Sequence, residues 1–139
     1  MIVADTSAIV ALVDRDDRHH EALRELFERE ADYWVLPWAV LPEIDYMLAT
    51  HVGTPAAEAF LEDVTSGVYS VEWGDPRDLK RSRELRRRHR ALKLGLVDSV
   101  VMAVAERLKA RAVATLDLRH FGAVELSGRP HLFPRDRPS

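Results

Sequence analysis

The chain lacks several features that would indicate particular kinds of chemistry or location. It has no cysteine in 139 residues, which excludes disulfides, thiolate nucleophiles and cysteine-ligated zinc. It contains no apolar run near the ~18 residues that a membrane span requires. No basic segment precedes the apolar residues that lead into Asp5, so we expect no secretory signal. These absences favour a cytoplasmic protein without a membrane partner.

Residue arrangements for metal-free catalysis are also missing. No serine or threonine lies in a Gly-x-Ser-x-Gly sequence, and none of the six histidines has a spacing that requires a catalytic pair. Asp5 is followed by Thr6 and Ser7, so the Asp-x-Asp pattern of haloacid-dehalogenase-type phosphatases does not fit. The paired acids near the first strand of a receiver domain do not fit either.

The composition is that of one globular domain with an uneven distribution of charge. Apolar residues make up 47% and charged residues 31%, and the length allows a single hydrophobic core. Residues 1–75 hold 16 acids and 4 bases (−12), residues 76–139 hold 7 acids and 16 bases (+9), and the sum is −3. This asymmetry predicts an uneven surface potential that can steer an anionic partner.

Short apolar runs alternate with helical patterns along the chain. Strands are predicted at 2–4, 33–36, 68–73 and 112–116, with a fifth near either 124–126 or 131–132. Helices are predicted at 8–13, 19–31, 38–51, from 54, at 76–93 and at 97–109. Alternation of this kind predicts an α/β domain over residues 1–133 with a parallel sheet covered on both faces, followed by a flexible tail at 134–139.

Four acidic residues sit where such a sheet would bring them together. Asp5 follows the first strand, and Glu43 lies early in the helix after the second. Asp98 opens the most apolar helix, and Asp117 follows the fourth strand. Because the ends of parallel strands share one edge, these side chains can converge in a pocket. Converging carboxylates repel each other unless a cation joins them, which favours a Mg²⁺ or Mn²⁺ enzyme acting on phosphate esters.

Three of the acids also have structural explanations. Asp5 can cap the first helix, although Thr6 or Ser7 could serve as well. Asp98 would be stabilised by the dipole at a helix N-terminus. Asp117 can be a turn residue.

Glu43 has the weakest structural explanation, since helical spacing places it on a largely apolar face and glutamate is rarely buried without a partner. Asp45 lies about 200° around the same helix, so only one of the two acids can face a common site. Helical geometry alone does not choose between them.

A basic segment runs from Lys80 to Lys93, with eight basic residues and one acid, Glu84. Such runs are usually solvated helix faces. The alternative is a surface that contacts RNA phosphates, for which the candidates are Arg86, Arg87, Arg90 and Lys93. A third possibility is contact with an acidic protein partner.

Four short motifs, in this order, resemble those of PIN domains. They are Ile-Val-Ala-Asp-Thr-Ser at 2–7, Leu-Pro-Glu-Ile at 41–44, Gly-Leu-Val-Asp-Ser at 95–99 and Ala-Thr-Leu-Asp-Leu-Arg-His-Phe at 114–121. The resemblance covers nearly the whole chain. The stand-alone length is similar to that of VapC toxins, the ribonuclease halves of bacterial toxin–antitoxin pairs.

This resemblance implies an α/β/α architecture with a five-stranded parallel sheet of order 3-2-1-4-5. It also implies a catalytic, metal-binding role for Asp5, Glu43, Asp98 and Asp117, with Thr6, Ser7 and Thr115 as supporting polar groups. His120, within the last motif, is a candidate for contact with substrate.

The functional expectations follow from the same resemblance. They are Mg²⁺- or Mn²⁺-dependent cleavage of transfer RNA or of the ribosomal sarcin–ricin loop, silencing by a VapB-type antitoxin, and a homodimer. The alternative is a PIN-like module that binds RNA or protein without cutting it.

Overall fold

The computed structural model describes residues 1–30 and 32–137. Its strands are β1 (Ile2–Ala4), β2 (Trp34–Pro37), β3 (Ser70–Glu72), β4 (Ala112–Ala114) and β5 (His131–Phe133). They form one sheet of order β3-β2-β1-β4-β5 in which every neighbouring pair is parallel. The α/β class, the five parallel strands and their predicted order are therefore confirmed.

The helices connect and cover these strands. They are α1 (Thr6–Val13), α2 (His20–Arg29), α3 (Val40–His51), α4 (Thr54–Thr65), α5 (Pro76–Arg88), α6 (Leu96–Arg107) and α7 (Leu118–Phe121), with a 3₁₀ turn at Arg90–Leu92. In the part of the chain that the structure describes, no helix is long and apolar enough to cross a membrane.

The centre of the core lies around β1, β4 and α6. Every residue of β1 and β4 is buried, as expected for strands covered on both faces. In α6 all residues from Ser99 to Ala105 are buried, so this most apolar helix lies at the centre of the domain. Close packing on both sides fixes the positions at which β1 and β4 end, and the candidate acids follow those ends.

The largest departure from the predicted elements is in the basic segment. The predicted helix at 76–93 ends at Arg88, and the chain then forms the 3₁₀ turn and reaches Lys93 in a left-handed conformation, with φ of 52°. Leu79, one of the few apolar residues of this segment, is 51% exposed. The polar residues Asp78 and Ser82 are buried instead. Asp78 pairs with Arg107, and the Ser82 hydroxyl is hydrogen-bonded to the hydroxyl of Ser99.

The C-terminal region resolves one open prediction. Of the two candidate positions for the fifth strand, the structure has β5 at His131–Phe133. Residues 134–137 form a turn in which the Asp136 N–H donates to the Leu132 carbonyl (2.8 Å) and the Arg137 guanidinium bonds to Glu30 (3.0 Å). Residues 138 and 139 of the predicted flexible tail lie outside the described residues. The flexibility of this tail and the domain limit at residue 133 stay predictions.

Candidate active site

Asp5 is held at the carboxyl end of β1. Its backbone N–H donates to the carbonyl of Ala114 in β4 (2.9 Å), and its side chain is only 3% exposed. The residue occupies the N-cap position of α1, but its side chain makes no capping hydrogen bond. The carboxylate instead accepts hydrogen bonds from the hydroxyls of Thr115 (3.0 Å) and Ser7 (3.2 Å). Helix capping therefore does not account for this buried acid.

The two hydroxyls that bond to Asp5 also join β1 to the loop after β4. The Ser7 oxygen accepts the N–H of Leu116 (2.9 Å), and the Thr115 oxygen accepts the N–H of Asp117 (3.0 Å). Ser7 and Thr115 thus lie beside Asp5.

Thr6, the next residue in the chain, is also buried. Its hydroxyl oxygen finds no hydrogen-bond partner among residues 1–30 and 32–137. Buried hydroxyls are normally satisfied, so a polar ligand at this position would be well accommodated.

Asp98 and Asp117 meet at the imidazole of His120. The His120 Nδ1 atom lies 3.1 Å from an oxygen of Asp98 and 3.0 Å from an oxygen of Asp117. Asp117 also caps α7, because its other oxygen accepts the backbone N–H of His120 (3.2 Å). Ligand atoms of these three residues lie within 4.8 Å of one another, which is close enough for one cation to join them.

His120 enters the site through α7, a single-turn helix that the apolar pattern does not predict. The available signal was its spacing: a histidine three residues after a capping aspartate lies on the same side of a helical turn. His120 was a candidate for contact with substrate, and in the structure its imidazole contacts Asp98 and Asp117.

Glu43, rather than Asp45, lies on the side of the acids. It is half-buried in the first turn of α3, and its charge contributes to the raised pKa of Asp98, whereas Asp45 is exposed. Pro42 falls in the same first turn, where the missing N–H costs no helical hydrogen bond.

The carboxylates of the acidic cluster, which comprises Asp5, Glu43, Asp98 and Asp117, repel one another. Burial, followed by the charge of Asp98, raises the pKa of Asp5 to about 7, against hydrogen bonds from Thr115, the Thr6 backbone and Ser7. Burial and the charge of Asp117 raise the pKa of Asp98, which His120 opposes. Within the described residues no lysine or arginine pairs with the four acids. A bound cation would relieve this repulsion.

The donor set fits a hard divalent cation. Carboxylate oxygens are the protein ligands that Mg²⁺ and Mn²⁺ prefer, and the His120 nitrogen is a donor that Mn²⁺ also accepts. Repulsion among the acids and the unpartnered hydroxyl of Thr6 are consistent with a site that is completed by such an ion.

The comparison with known protein families agrees with this geometry. A family model of the PIN domain matches residues 2–125. The chain belongs to the PIN-domain family. This PIN domain is 29% identical over 127 residues to ribonuclease VapC26 of Mycobacterium tuberculosis, and the match covers 91% of the chain and 94% of VapC26.

Solved structures show the same fold. The PIN domain superposes on VapC20 of M. tuberculosis, a toxin that cleaves the sarcin–ricin loop, with a TM-score of 0.82 and 25% identity over 94% of this chain and 100% of VapC20. It also matches VapBC from Salmonella typhimurium, crystallised with bound DNA, with a TM-score of 0.70 and 17% identity over 94% and 95% of the two chains. At that identity the second match supports the fold alone.

The basic residues singled out in the sequence lie in one groove of this PIN domain. Arg86, Arg87, Arg90 and Lys93 line a groove beside α5, the 3₁₀ turn and the start of α6. Arg83 lines it as well and was not among the predicted residues.

Proposed function

We propose that the protein is a cytoplasmic, metal-dependent endoribonuclease of the VapC type, which hydrolyses RNA phosphodiester bonds and so inhibits translation. The observation that carries this proposal is the convergence of Asp5, Asp98 and Asp117, with Glu43 near Asp98. Similarity to a ribonuclease and to a toxin that cleaves the sarcin–ricin loop supports RNA as the substrate. A module that only binds RNA or protein would not need these four acids, so their grouping favours catalysis.

Each side chain has a task in this proposal. Asp5, Glu43, Asp98 and Asp117 would hold Mg²⁺ or Mn²⁺, which when bound lowers the pKa of water and offsets charge on the phosphate. Ser7 and Thr115 fix the orientation of the Asp5 carboxylate through their hydroxyl groups. His120 holds Asp98 and Asp117 close together when no ion separates them.

If water attacks the phosphorus and the 3′ oxygen leaves, as the resemblance to PIN-domain ribonucleases implies, the products carry a 5′-phosphate and a 3′-hydroxyl. We therefore predict that inducing the protein in cells yields 5′-phosphorylated fragments of transfer RNA or ribosomal RNA with ends at a few defined positions. Sequencing of phosphorylated 5′ ends identifies the target. The purified protein should cut the same site with added Mn²⁺ or Mg²⁺ and stop when EDTA is present. Fragments with 5′-hydroxyl ends, or cleavage that EDTA leaves unchanged, would contradict the proposed chemistry.

We also propose that a VapB-type antitoxin silences the enzyme and that the toxin forms a homodimer. Support for such a partner comes from the VapBC structures that share this fold. The acidic cluster suits an inserted arginine, whose planar guanidinium can pair with carboxylates through two parallel hydrogen bonds. Exposed apolar groups of α3, such as Tyr46 at 67% exposure, offer surface for an antitoxin to cover.

The antitoxin proposal predicts the behaviour of the complex. The chain purified together with the product of its neighbouring gene should cleave RNA more slowly than the free chain at equal Mn²⁺ concentration, because the inserted side chain competes for the carboxylates. Initial cleavage rates and light scattering measure inhibition and stoichiometry in the same samples. If the complex cuts as fast as the free chain, or if the two proteins do not associate, the antitoxin proposal fails and the nuclease proposal stands.

A further inference from the structure

The imidazole of His120 lies between two carboxylates of the acidic cluster. Its Nδ1 atom is 3.1 Å from an oxygen of Asp98 and 3.0 Å from an oxygen of Asp117. This nitrogen carries at most one hydrogen, which cannot point directly at two oxygens at once. A hydrogen bond to one of the acids therefore accounts for only one of the two short distances.

Both distances match the spacing of adjacent ligands around a small divalent ion. Mg²⁺ is bound octahedrally with bonds of ~2.1 Å, so ligand atoms at right angles to each other are about 3.0 Å apart. The Nδ1 atom of His120 has this spacing to each of the two carboxylate oxygens. One ion can thus reach the nitrogen and both acids without a large movement of any of the three side chains.

The short helix α7 fixes the position of this imidazole. The Asp117 carboxylate accepts the backbone N–H of His120 (3.2 Å), so the main chain of the histidine is held as well as its ring. The next residue, Phe121, is 2% exposed and anchors α7 in the core. A donor that is held in this way needs little reordering to bind an ion, which favours direct coordination.

A nitrogen ligand changes which ion a site prefers. Mg²⁺ selects oxygen donors and keeps several waters, whereas affinity for nitrogen donors rises from Mn²⁺ to Co²⁺ along the first transition series. We propose that His120 is a direct metal ligand through Nδ1, beside Asp98 and Asp117, and that it makes the site prefer Mn²⁺ to Mg²⁺. The inference rests on the proposed metal-dependent function, and it assigns an ion preference to a site whose carboxylates accept both ions.

A different role for the same histidine leads to the opposite expectation. An imidazole that only reduces the repulsion between Asp98 and Asp117 competes with a metal ion for these carboxylates. Removing such a competitor would strengthen the binding of every divalent cation, whereas removing a ligand weakens the binding of ions that favour nitrogen. The sign of the change in metal affinity therefore separates the two roles.

Titration calorimetry of the full chain with MgCl₂, MnCl₂ or CoCl₂ alone, at one pH and without RNA, measures these affinities. Replacing His120 by glutamine should weaken Mn²⁺ binding about tenfold and Co²⁺ binding still more, while Mg²⁺ binding changes less than about threefold. The matched control is His51→Gln, which removes an exposed histidine at the C-terminal end of α3 and should leave all three affinities unchanged. Thermal melting in EDTA verifies that both variants are folded.

Pulsed electron paramagnetic resonance of the Mn²⁺-bound chain identifies the ligand atom directly. A nitrogen bonded to Mn²⁺ gives a ¹⁴N hyperfine coupling, which carboxylate and water ligands do not give. The parent and His51→Gln should show this coupling, and His120→Gln should lack it. This readout reports coordination itself, so a histidine that only supports the shape of the site would not produce it.

The outcomes distinguish this ligand from the nuclease proposal. Absence of the nitrogen coupling in the parent, or its persistence in His120→Gln, overturns the assignment of His120. So does stronger binding of Mn²⁺ and Mg²⁺ by His120→Gln, or an equal loss of affinity for all three ions. A chain that coordinates Mn²⁺ through His120 but never cleaves RNA supports the ligand and refutes the nuclease. A chain that cleaves RNA without nitrogen coordination refutes the ligand and supports the nuclease.

Discussion

Changing Asp5 or Asp98 to asparagine should lower RNA cleavage by at least ~10²-fold, since each change removes a negative ligand from the proposed metal site. Asparagine has nearly the shape of aspartate, and Asp5 lies among hydroxyl groups that can adapt to an amide. The variants should therefore remain folded. The rate is measured on the RNA site identified in cells, with protein purified free of contaminating nuclease.

A matched control for these variants is Asp45→Asn. Asp45 carries the same charge and belongs to the same helix as Glu43, but it is exposed. Its replacement should leave the cleavage rate within about twofold of the parent, as for most surface changes away from a site. A folded Asp5→Asn, Asp98→Asn protein that cleaves at the parental rate would refute the assignment of the acids.

The metal-free protein should lose stability as the pH rises from about 4 to about 7. Asp5 has an ordinary pKa of 3.8 when unfolded and a pKa of about 7 when folded, so the folded state binds more protons in this range. The contribution of protonated Asp5 to the unfolding free energy is fully present below pH 3.8 and is lost as the pH rises through 7. The shift corresponds to roughly 4 kcal/mol of unfolding free energy over the whole range.

Urea unfolding in EDTA at several pH values measures this loss. The Asp5→Asn variant cannot ionise at this position, so it should gain stability relative to the parent as the pH rises, whereas Asp45→Asn should follow the parent. Added Mn²⁺ should restore the parent at pH 7.5 but have less effect on Asp5→Asn. If the difference in unfolding free energy between the parent and Asp5→Asn stays constant between pH 5 and 8, the raised pKa of Asp5 is contradicted.

The sequence was sufficient to predict the alternation of strands with the six longer helices and the acids that follow the strand ends. Fully apolar runs such as Ile2–Ala4 indicate strands buried on both faces, and acids that follow such strands must share an edge. The order of the strands, and the choice of Glu43 over Asp45, came from the resemblance to PIN domains. Helical periodicity shows that Glu43 and Asp45 lie on different sides of α3, but it does not show which side faces the other acids.

Two features depend on tertiary contacts that local patterns do not encode. Leu79 is apolar but exposed, whereas its neighbour Asp78 pairs with Arg107 and is buried, so polar groups share the buried side of α5 with Leu85. His120 reaches Asp98 only because α7 forms a single turn capped by Asp117, and a segment of four residues has too little periodicity to be predicted.

The hydrogen bond between Asp5 and Thr115 joins residues 110 positions apart. A nascent chain that has emerged only as far as α6 therefore lacks both the hydroxyl that orients Asp5 and the carboxylate of Asp117. Domains fold as units once most of their residues are available, so the acidic cluster forms only near the end of synthesis. On the proposed function, a product that terminates before β4 has no nuclease activity, and a ribosome is not cut by the chain that it is still making.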